Sequence, residues 1–168
     1  MDKLPPTDAV DRILAQWQRE RQDLDCSPMG PIGRLKRCAM LLEPRVEAAF
    51  VKHGLVRWEF DMLATLRRAG QPFVLSPTQL LSTLMITSGT MTHRLQALDK
   101  RGLITRLANP QDARSMLVAL TPEGRALIDE AVATHVANEQ QLLAGLSAPQ
   151  LQQLDEALRV FMRLLENE

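Results

Sequence analysis

Two short helices close together, followed by a tight turn, are the feature of this sequence that most restricts its fold. Ser76-Pro77 and Thr87-Ser88 each place a hydroxyl side chain where it caps a helix, and proline suits the first helical position. Apolar residues then recur at helical spacing, at Leu80, Leu81 and Leu84 after the first cap and at Met91, Leu95 and Leu98 after the second. The first helix is predicted to end near Leu84 and the second at Gly102, so only residues 85–87 separate them.

A β-hairpin is predicted directly after the second helix. Leu103–Leu107 and Met116–Leu120 are rich in Leu, Ile and Val, and the turn-forming residues 109–112 (Asn-Pro-Gln-Asp) lie between them. Thr121-Pro122 then starts a long helix that reaches about Leu143. Two short helices, a hairpin and a long helix in this order are typical of a winged helix-turn-helix, whose second short helix enters the DNA major groove.

Helical spacing also dominates the first part of the chain. Thr7-Asp8 caps a first helix that ends near Arg21, and a second helix is predicted from about Ile32 to His53. Pro44 lies inside the second helix and predicts a kink or a break there. A third helix over Arg57–Ala69 leads into the winged region, so the predicted fold class is mainly α with a small β-hairpin wing.

The last helix carries an apolar seam. Ser147 caps it, and apolar residues follow at alternating spacings of three and four, at Leu151, Leu154, Leu158, Phe161 and Leu165. The seam packs either on the chain's own helices or on a second copy; we expect a homodimer, because the terminal helices lie outside the winged module and need another surface. We therefore predict a single domain, 1–168, with dimerisation helices at about 7–53 and 122–166 and a DNA-binding lobe at about 55–121.

Charge is balanced over the whole chain but not along it. Lys and Arg total 20, as do Asp and Glu, so the formal net charge is zero. Between Thr87 and Arg114, however, the basic side chains outnumber the acidic ones, which predicts a locally basic face suited to phosphate. No apolar run is long enough for a membrane span, and the start lacks the build of a signal peptide, so we expect a cytoplasmic protein.

The sequence favours neither a metal site nor an enzyme. His53 and His135 have no partner at metal-ligand spacing, and we expect no metal and no cofactor. A Gly-rich phosphate loop, a nucleophile elbow and a recognisable set of nucleophile and histidine are all missing from the sequence. Cys26 and Cys38 are interpreted as packing or loop residues, with an oxidant sensor as the alternative.

The candidate DNA contacts lie on the two short helices and the wing. When Met91, Leu95 and Leu98 are placed on the buried side of a helical wheel, the opposite face of the second helix is polar. This face is expected to point outward, towards base edges and phosphates. In the wing, Arg114 would reach a minor groove, whereas Asp112 is expected to brace the turn. The full predicted set is Ser76, Thr78, Ser88, Thr90, Thr92, His93, Arg94, Gln96, Lys100 and Arg114.

Successive blocks of the chain resemble those of MarR-type transcriptional regulators. The blocks are Trp58–Arg68, Ser88–Leu95, Gly102–Arg106, Asn109–Arg114 and Leu117–Gly124, and the resemblance covers about residues 32–165. They occur in the family's order with the expected gaps. The family's turn is usually Asp-Pro-x-Asp-Arg-Arg; Asn109 and Ala113 depart from it here, which removes one wing cation.

Within that family the chain looks like the urate-responsive, PecS-like branch. The features that carry this resemblance are an extra first helix with Trp17, the aspartate of Trp-Glu-Phe-Asp, and an arginine in each of Met-Thr-x-Arg and Gly-Leu-Ile-x-Arg. The resemblance implies an effector site of Trp17, Asp61, Arg94 and Arg106, in which an Asp61–Arg94 ion pair would be broken by the ligand. The alternatives are a core role for Trp17, a local pair of Asp61 with Arg57, and phosphate contacts for the two arginines.

The sequence therefore predicts a ligand-responsive regulator, and not an enzyme. We expect a repressor that binds a pseudo-palindromic double-stranded DNA operator as a homodimer and is released by a small anionic aromatic effector. Urate, a hydroxylated aromatic acid and a pyridine carboxylate each have the planar ring and negative charge that arginine would accept. The alternatives are a redox-sensing regulator that uses Cys26 or Cys38 and a winged-helix module that contacts proteins.

Overall fold

The structure is a computed structural model that describes residues 7–84, 87–112 and 115–166. Its helices are α1 (Ala9–Glu20), α2 (Met29–Val51), α3 (Arg57–Arg68), α4 (Pro77–Leu84), α5 (Ser88–Lys100), α6 (Pro122–Leu143) and α7 (Ala148–Glu166). Its strands are β1 (Val74–Leu75), β2 (Ile104–Ala108) and β3 (Met116–Leu120). The prediction of a mainly α fold with a small hairpin is confirmed.

The helix starts follow from their caps. The Asp8 carboxylate accepts hydrogen bonds from the backbone amides of Val10 and Asp11, at 2.7 and 2.9 Å. Thr87 caps α5, and the Thr121 hydroxyl accepts from the Gly124 amide at 2.9 Å, with Pro122 in the first turn. Side-chain oxygens thus satisfy amides that a helix leaves free, which is why local sequence predicted these starts correctly.

Two expectations for α2 need correction. The helix begins at Met29 and ends at Val51, and it continues through Pro44 without the break that proline suggested. Pro44 and Met40 are both exposed, so the Met40 carbonyl that loses its helical partner can bond to water. Ala49 and Phe50 are buried in the core just beyond it, and their packing supports the helix on that side.

The sheet has one strand more than the sequence predicted. Val74–Leu75 pairs antiparallel with β3, giving the order β1-β3-β2, with Val74 opposite Ala119. In the hairpin itself, Ile104 is opposite Leu120 and Ala108 is opposite Met116. A strand of two residues is too short to show the alternating pattern by which strands are predicted. Pro72 and Pro77 on either side of it also favoured a loop and a helix start over a strand.

The chain divides into two compact units, one up to Arg45 and one from Val46 onward. In the first unit α1 packs on α2 at Val10, and Arg34 forms ion pairs with Asp8 (2.7 Å) and Asp11. Cys26 is half-buried and Cys38 is exposed, and both are free thiols.

The second unit contains the main core. Its fully buried side chains come from α3, α4, α5, the sheet and α6, including Leu63, Leu66, Leu80, Leu98, Ile104 and Ile128. Gly124 is required where α6 crosses the hairpin, because a Cβ there would lie 1.9 Å from the Leu103 carbonyl oxygen. None of the described residues of α7 is buried, so its apolar seam is open to solvent in the single chain. No helix of the described ranges is long and apolar enough to cross a membrane.

Candidate nucleic-acid interface

Helix α5 has one buried and one exposed face. Met91, Leu95 and Leu98 are at most 5% exposed and fix the helix on the core. The opposite side is solvent-exposed and polar; its described members are Gly89, Thr90, Thr92, His93, Gln96 and Lys100, with the exposed Asp99 at its edge. The predicted outward face of the second short helix is therefore the observed one.

The N-terminal end of α5 is capped and open. The Thr87 hydroxyl accepts from the Thr90 amide at 3.5 Å, and the two threonine hydroxyl oxygens are 3.0 Å apart. A Cβ added to Gly89 would meet no atom within 4 Å. Exposed amides at a helix N-terminus attract anions such as phosphate. The side chain of Ser88, another predicted contact, lies outside what the structure describes.

Helix α4 precedes this end. Ser76 and Gln79 form a reciprocal cap, in which the Ser76 amide donates to Gln79 Oε1 (2.8 Å) and the Gln79 amide donates to Ser76 Oγ (3.2 Å). Leu80, which is fully buried, holds α4 on the core. Of the two predicted contacts here, Thr78 is exposed, whereas Ser76 is half-buried and has a capping role.

Arg94 lies beside Trp58, which is not among the site residues predicted from the sequence. Its guanidinium carbon is 5.3 Å from the centre of the Trp58 ring, within the range of a cation–π contact. The two side chains line an open cleft of about 480 Å³ together with Gly89, Thr90 and His93. The cleft therefore combines an aromatic wall, a cation and part of the exposed face of α5. Trp58 immediately precedes Glu59 in the block that contains Asp61, but only the fold places it against Arg94.

The expected ion pair between Asp61 and Arg94 is not formed. Within the described residues, neither side chain has a salt-bridge partner inside 4.0 Å, because Arg94 lies over Trp58 instead. Arg57, the alternative partner, pairs with Glu47 at 3.1 Å. Partial burial raises the pKa of Asp61 above its usual value, and the positive charges of Arg57, Arg94, Arg68 and His135 act in the opposite direction.

The two other members of the implied effector site lie on different elements. Trp17 is on α1, in the first unit, and remains 41% exposed, so it is not a core aromatic of that unit. Arg106 is on β2 and pairs with Asp99 of α5 at 3.4 Å. This ion pair connects the hairpin to the C-terminal end of α5.

Asn109 closes the turn of the wing. Its side-chain amide donates to Ser115 Oγ at 2.7 Å, and its Oδ1 accepts from the Gln111 amide at 3.0 Å. The asparagine that departs from the family's turn thus performs the bracing that a turn-forming side chain supplies. Arg114, the predicted minor-groove contact, lies outside the described residues.

The chain matches known regulators over most of its length. The MarR family profile matches residues 53–115. A transcriptional regulator of Dickeya dadantii, PecS, is 42% identical over 159 residues, which are 94% of this chain and 96% of that protein. The HTH-type repressor Rv2887 of Mycobacterium tuberculosis is 34% identical over 142 residues, 84% of this chain and 94% of the relative.

Solved structures agree with the family match. A MarR mutant from E. coli in complex with operator DNA has a TM-score of 0.68 at 25% identity, over 82% of this chain and 99% of that one. The Rv2887 protein in complex with DNA has a TM-score of 0.60 at 30% identity, over 76% of this chain and 93% of that one. The relatives are named as regulators and not as enzymes, and the chain belongs to the MarR family of helix-turn-helix transcriptional regulators, in its PecS-like branch.

Proposed function

We propose that this protein is a repressor that binds double-stranded operator DNA as a homodimer and leaves it when a small anionic aromatic effector binds. The observation that carries the proposal is α5, a helix with a buried apolar side and an exposed polar side, placed between a short capped helix and a hairpin. Two of the similar structures are complexes of MarR-family proteins with DNA, which supports the same function for this chain.

The exposed residues of α5 suit different parts of the duplex. His93 and Gln96 project from the middle of the helix, where a glutamine amide can bond to adenine in the major groove. Thr90 and Thr92 near the capped end and Lys100 near the other end are proposed to bind phosphates. Ser76, Thr78 and Ser88, the side chain of Arg94 and the wing residue Arg114 complete the proposed contact set.

A two-fold dimer would cover the apolar surface of α7. Leu151, Leu154 and Leu158 are each about 40% exposed along one line of that helix, and Leu165 is 59% exposed. In the proposed arrangement residues 7–53 and 122–166 of a single domain form the dimer and residues 55–121 bind DNA. Two α5 helices would then read half-sites about one helical turn apart in a pseudo-palindromic operator.

The effector is proposed to act through Arg94. A planar anion in the cleft between Trp58 and Arg94 would stack on the indole and form a charge-assisted hydrogen bond with the guanidinium. Its negative charge would repel the carboxylate of Asp61, whose charged form partial burial already disfavours. Trp17 and Arg106 complete the proposed effector set; urate, a hydroxylated aromatic acid and a pyridine carboxylate are the chemical candidates.

A mobility-shift titration on DNA from the protein's own upstream region tests this proposal. Binding should weaken steeply with salt, because phosphate contacts release counterions, and one of the three ligand classes should reverse it. Gln96→Ala should weaken operator binding, whereas the control Gln140→Ala, an exposed glutamine of α6, should not. An operator affinity that does not change with salt concentration, or that is equal for the two variants, would contradict the proposal and favour a protein-contact module.

A further inference from the structure

The first turn of α3 contacts α5 at two places, seven residues apart along α5. Trp58 lies against Arg94 near the middle of α5, and Glu59 pairs with Arg101 directly after its last residue. Residues seven apart on a helix share one face, so both contacts lie on the side of α5 that looks towards α3. Together with the apolar core that the two helices share, these two contacts can hold the direction of α5 relative to α3.

Glu59 and Arg101 form an ion pair in which the carboxylate is buried and the guanidinium is partly exposed. Glu59 is only 6% exposed, and its Oε1 lies 2.6 Å from an Arg101 guanidinium nitrogen. Its Oε2 accepts from the Val56 amide at 3.1 Å, which also caps α3. The second terminal nitrogen of Arg101 donates to the Gly54 carbonyl at 3.1 Å. A buried charge with all these partners holds its geometry, and loss of one partner leaves the other uncompensated.

We propose that the Glu59–Arg101 pair is a positioning device that fixes the C-terminal end of α5 on DNA, and that Arg101 is not itself a phosphate contact. This inference rests on the DNA-binding function proposed above. Charge alone would assign Arg101 to the phosphates, as it does the adjacent Lys100. Both terminal nitrogens of Arg101 are directed at protein acceptors, however, whereas Lys100 has no salt bridge within the described residues and is exposed.

The two links differ in strength, which gives the helix a fixed end and a movable end. A cation over an aromatic ring at 5.3 Å is a weaker and less directional contact than a hydrogen-bonded ion pair at 2.6 Å to a buried carboxylate. A ligand that competes for Arg94 would therefore remove the weaker of the two links, while Arg101 and the buried Met91, Leu95 and Leu98 keep α5 on the core. Within this packing the helix would pivot by a small tilt about its C-terminal end, and His93 and Gln96 would lose their register with the bases.

The test compares Glu59→Gln, Arg101→Met and the double variant with the control Lys100→Met. Dissociation constants are measured for the operator fragment and for a scrambled duplex over a range of salt, with every variant kept well below its melting temperature. We expect each single variant to weaken operator binding by roughly three- to thirtyfold and the double to be no weaker than Arg101→Met. The salt slope and the affinity for scrambled DNA should stay those of the parent.

Two further variants separate positioning from general damage to the fold. Lys100→Met should reduce the salt slope by about one and weaken both duplexes alike, as loss of a phosphate contact does. Arg101→Lys keeps a cation beside Glu59, and we expect it to restore most of the operator affinity that Arg101→Met loses. The operator affinity of Arg101→Lys can be measured and compared with that of the parent even if Arg101→Met folds poorly.

Three outcomes would overturn the inference. A lower salt slope for Arg101→Met with parental binding by Glu59→Gln would make Arg101 a phosphate contact. Parental operator affinity in Glu59→Gln, Arg101→Met and the double variant, with only the melting temperature lowered, would make the pair a stabilising contact without a role in positioning. A parent protein that binds neither duplex would overturn the proposed function and the pivot with it, whereas binding by the parent together with unaffected variants overturns the pivot alone.

Discussion

At the scale of single residues, two contacts from the first turn of α3 set the surroundings of α5, one between Trp58 and Arg94 and one between Glu59 and Arg101. Local patterns predicted the caps at Asp8, Thr87 and Thr121, because a cap depends on residues two or three positions away. They missed the contact of Trp58 with Arg94 and the pair of Glu59 with Arg101, since these join residues of two different helices. The prediction of an Asp61–Arg94 ion pair was wrong for the same reason. The fold places Arg94 against Trp58, and the residues next to Arg94 in the sequence do not reveal this contact.

Asp61 should make stability depend on pH in a particular direction. Burial raises its pKa in the folded protein, so its ionisation disfavours folding, and this cost is present at neutral pH and absent below the ordinary pKa of 3.8. We expect Asp61→Asn to unfold at a higher temperature than the parent at pH 7, with the difference shrinking as the pH falls towards 4. Thermal unfolding followed by circular dichroism measures this. A difference that grows on acidification would contradict the stated environment of Asp61.

Asp8 should behave in the opposite way. The hydrogen bond from Arg34, with backbone amides of the first turn, lowers the pKa of Asp8 from 3.8 to about 2. Its ionised form therefore stabilises the fold above the ordinary pKa, and this contribution is lost as the pH falls from 3.8 towards 2. Asp8→Asn keeps a good cap but removes the charge. This variant should have a lower melting temperature than the parent at pH 7 but not near pH 2. Equal melting temperatures of variant and parent at pH 7 would contradict the stabilising role of the Asp8 charge.

At the scale of elements, the sequence predicted α6 and β3 to the residue but missed β1. Thr121-Pro122 and a hairpin turn are local signals with defined positions, whereas Val74–Leu75 is a strand only because β3 lies beside it. The unbroken α2 shows the same principle, since tertiary packing beyond Pro44 overrides the local preference of proline.

Two glycines on different helices should respond oppositely to alanine. A Cβ at Gly124 would overlap the Leu103 carbonyl, so Gly124→Ala should destabilise the protein by about 3 kcal/mol or more. A Cβ at Gly89 meets no atom within 4 Å, so Gly89→Ala should stabilise the helix by about 0.5 kcal/mol. Urea unfolding measures both free energies. Stabilisation by Gly124→Ala would mean that α6 does not cross the hairpin as described.

Gly89→Ala should also separate stability from binding. The glycine is exposed at the open end of α5, where the proposal brings backbone close to phosphate. We expect the variant to bind operator DNA more weakly although its fold is as stable as the parent's or more so. Equal or tighter binding in a mobility-shift titration would place the phosphate backbone away from this end of the helix.

At the scale of the whole molecule, α7 presents an apolar surface that a second copy of the chain is proposed to cover. None of its described residues is buried in the single chain, and its leucines follow a coiled-coil spacing. The apolar surface was predictable from the sequence, but its partner was not, because the same seam would serve an intramolecular or an intermolecular contact.

A charge on the seam should dissociate the dimer. Leu158→Glu places a carboxylate on the apolar line, where pairing would bury it, so we expect monomers in sedimentation velocity at concentrations at which the parent is dimeric. Val160→Glu is the matched control, since Val160 is 61% exposed and lies off that line. Dissociation by both variants or by neither would contradict a dimer formed through the seam.

The central claim is that two copies of α5 read DNA together, and selection of binding sites from random duplexes tests it most directly. The parent should enrich two inverted half-sites with centres about one helical turn apart, and Gln96→Ala should relax the preference at one position in each half-site. Enrichment of a single half-site, or an unchanged preference in the Gln96→Ala variant, would contradict reading by a pair of α5 helices.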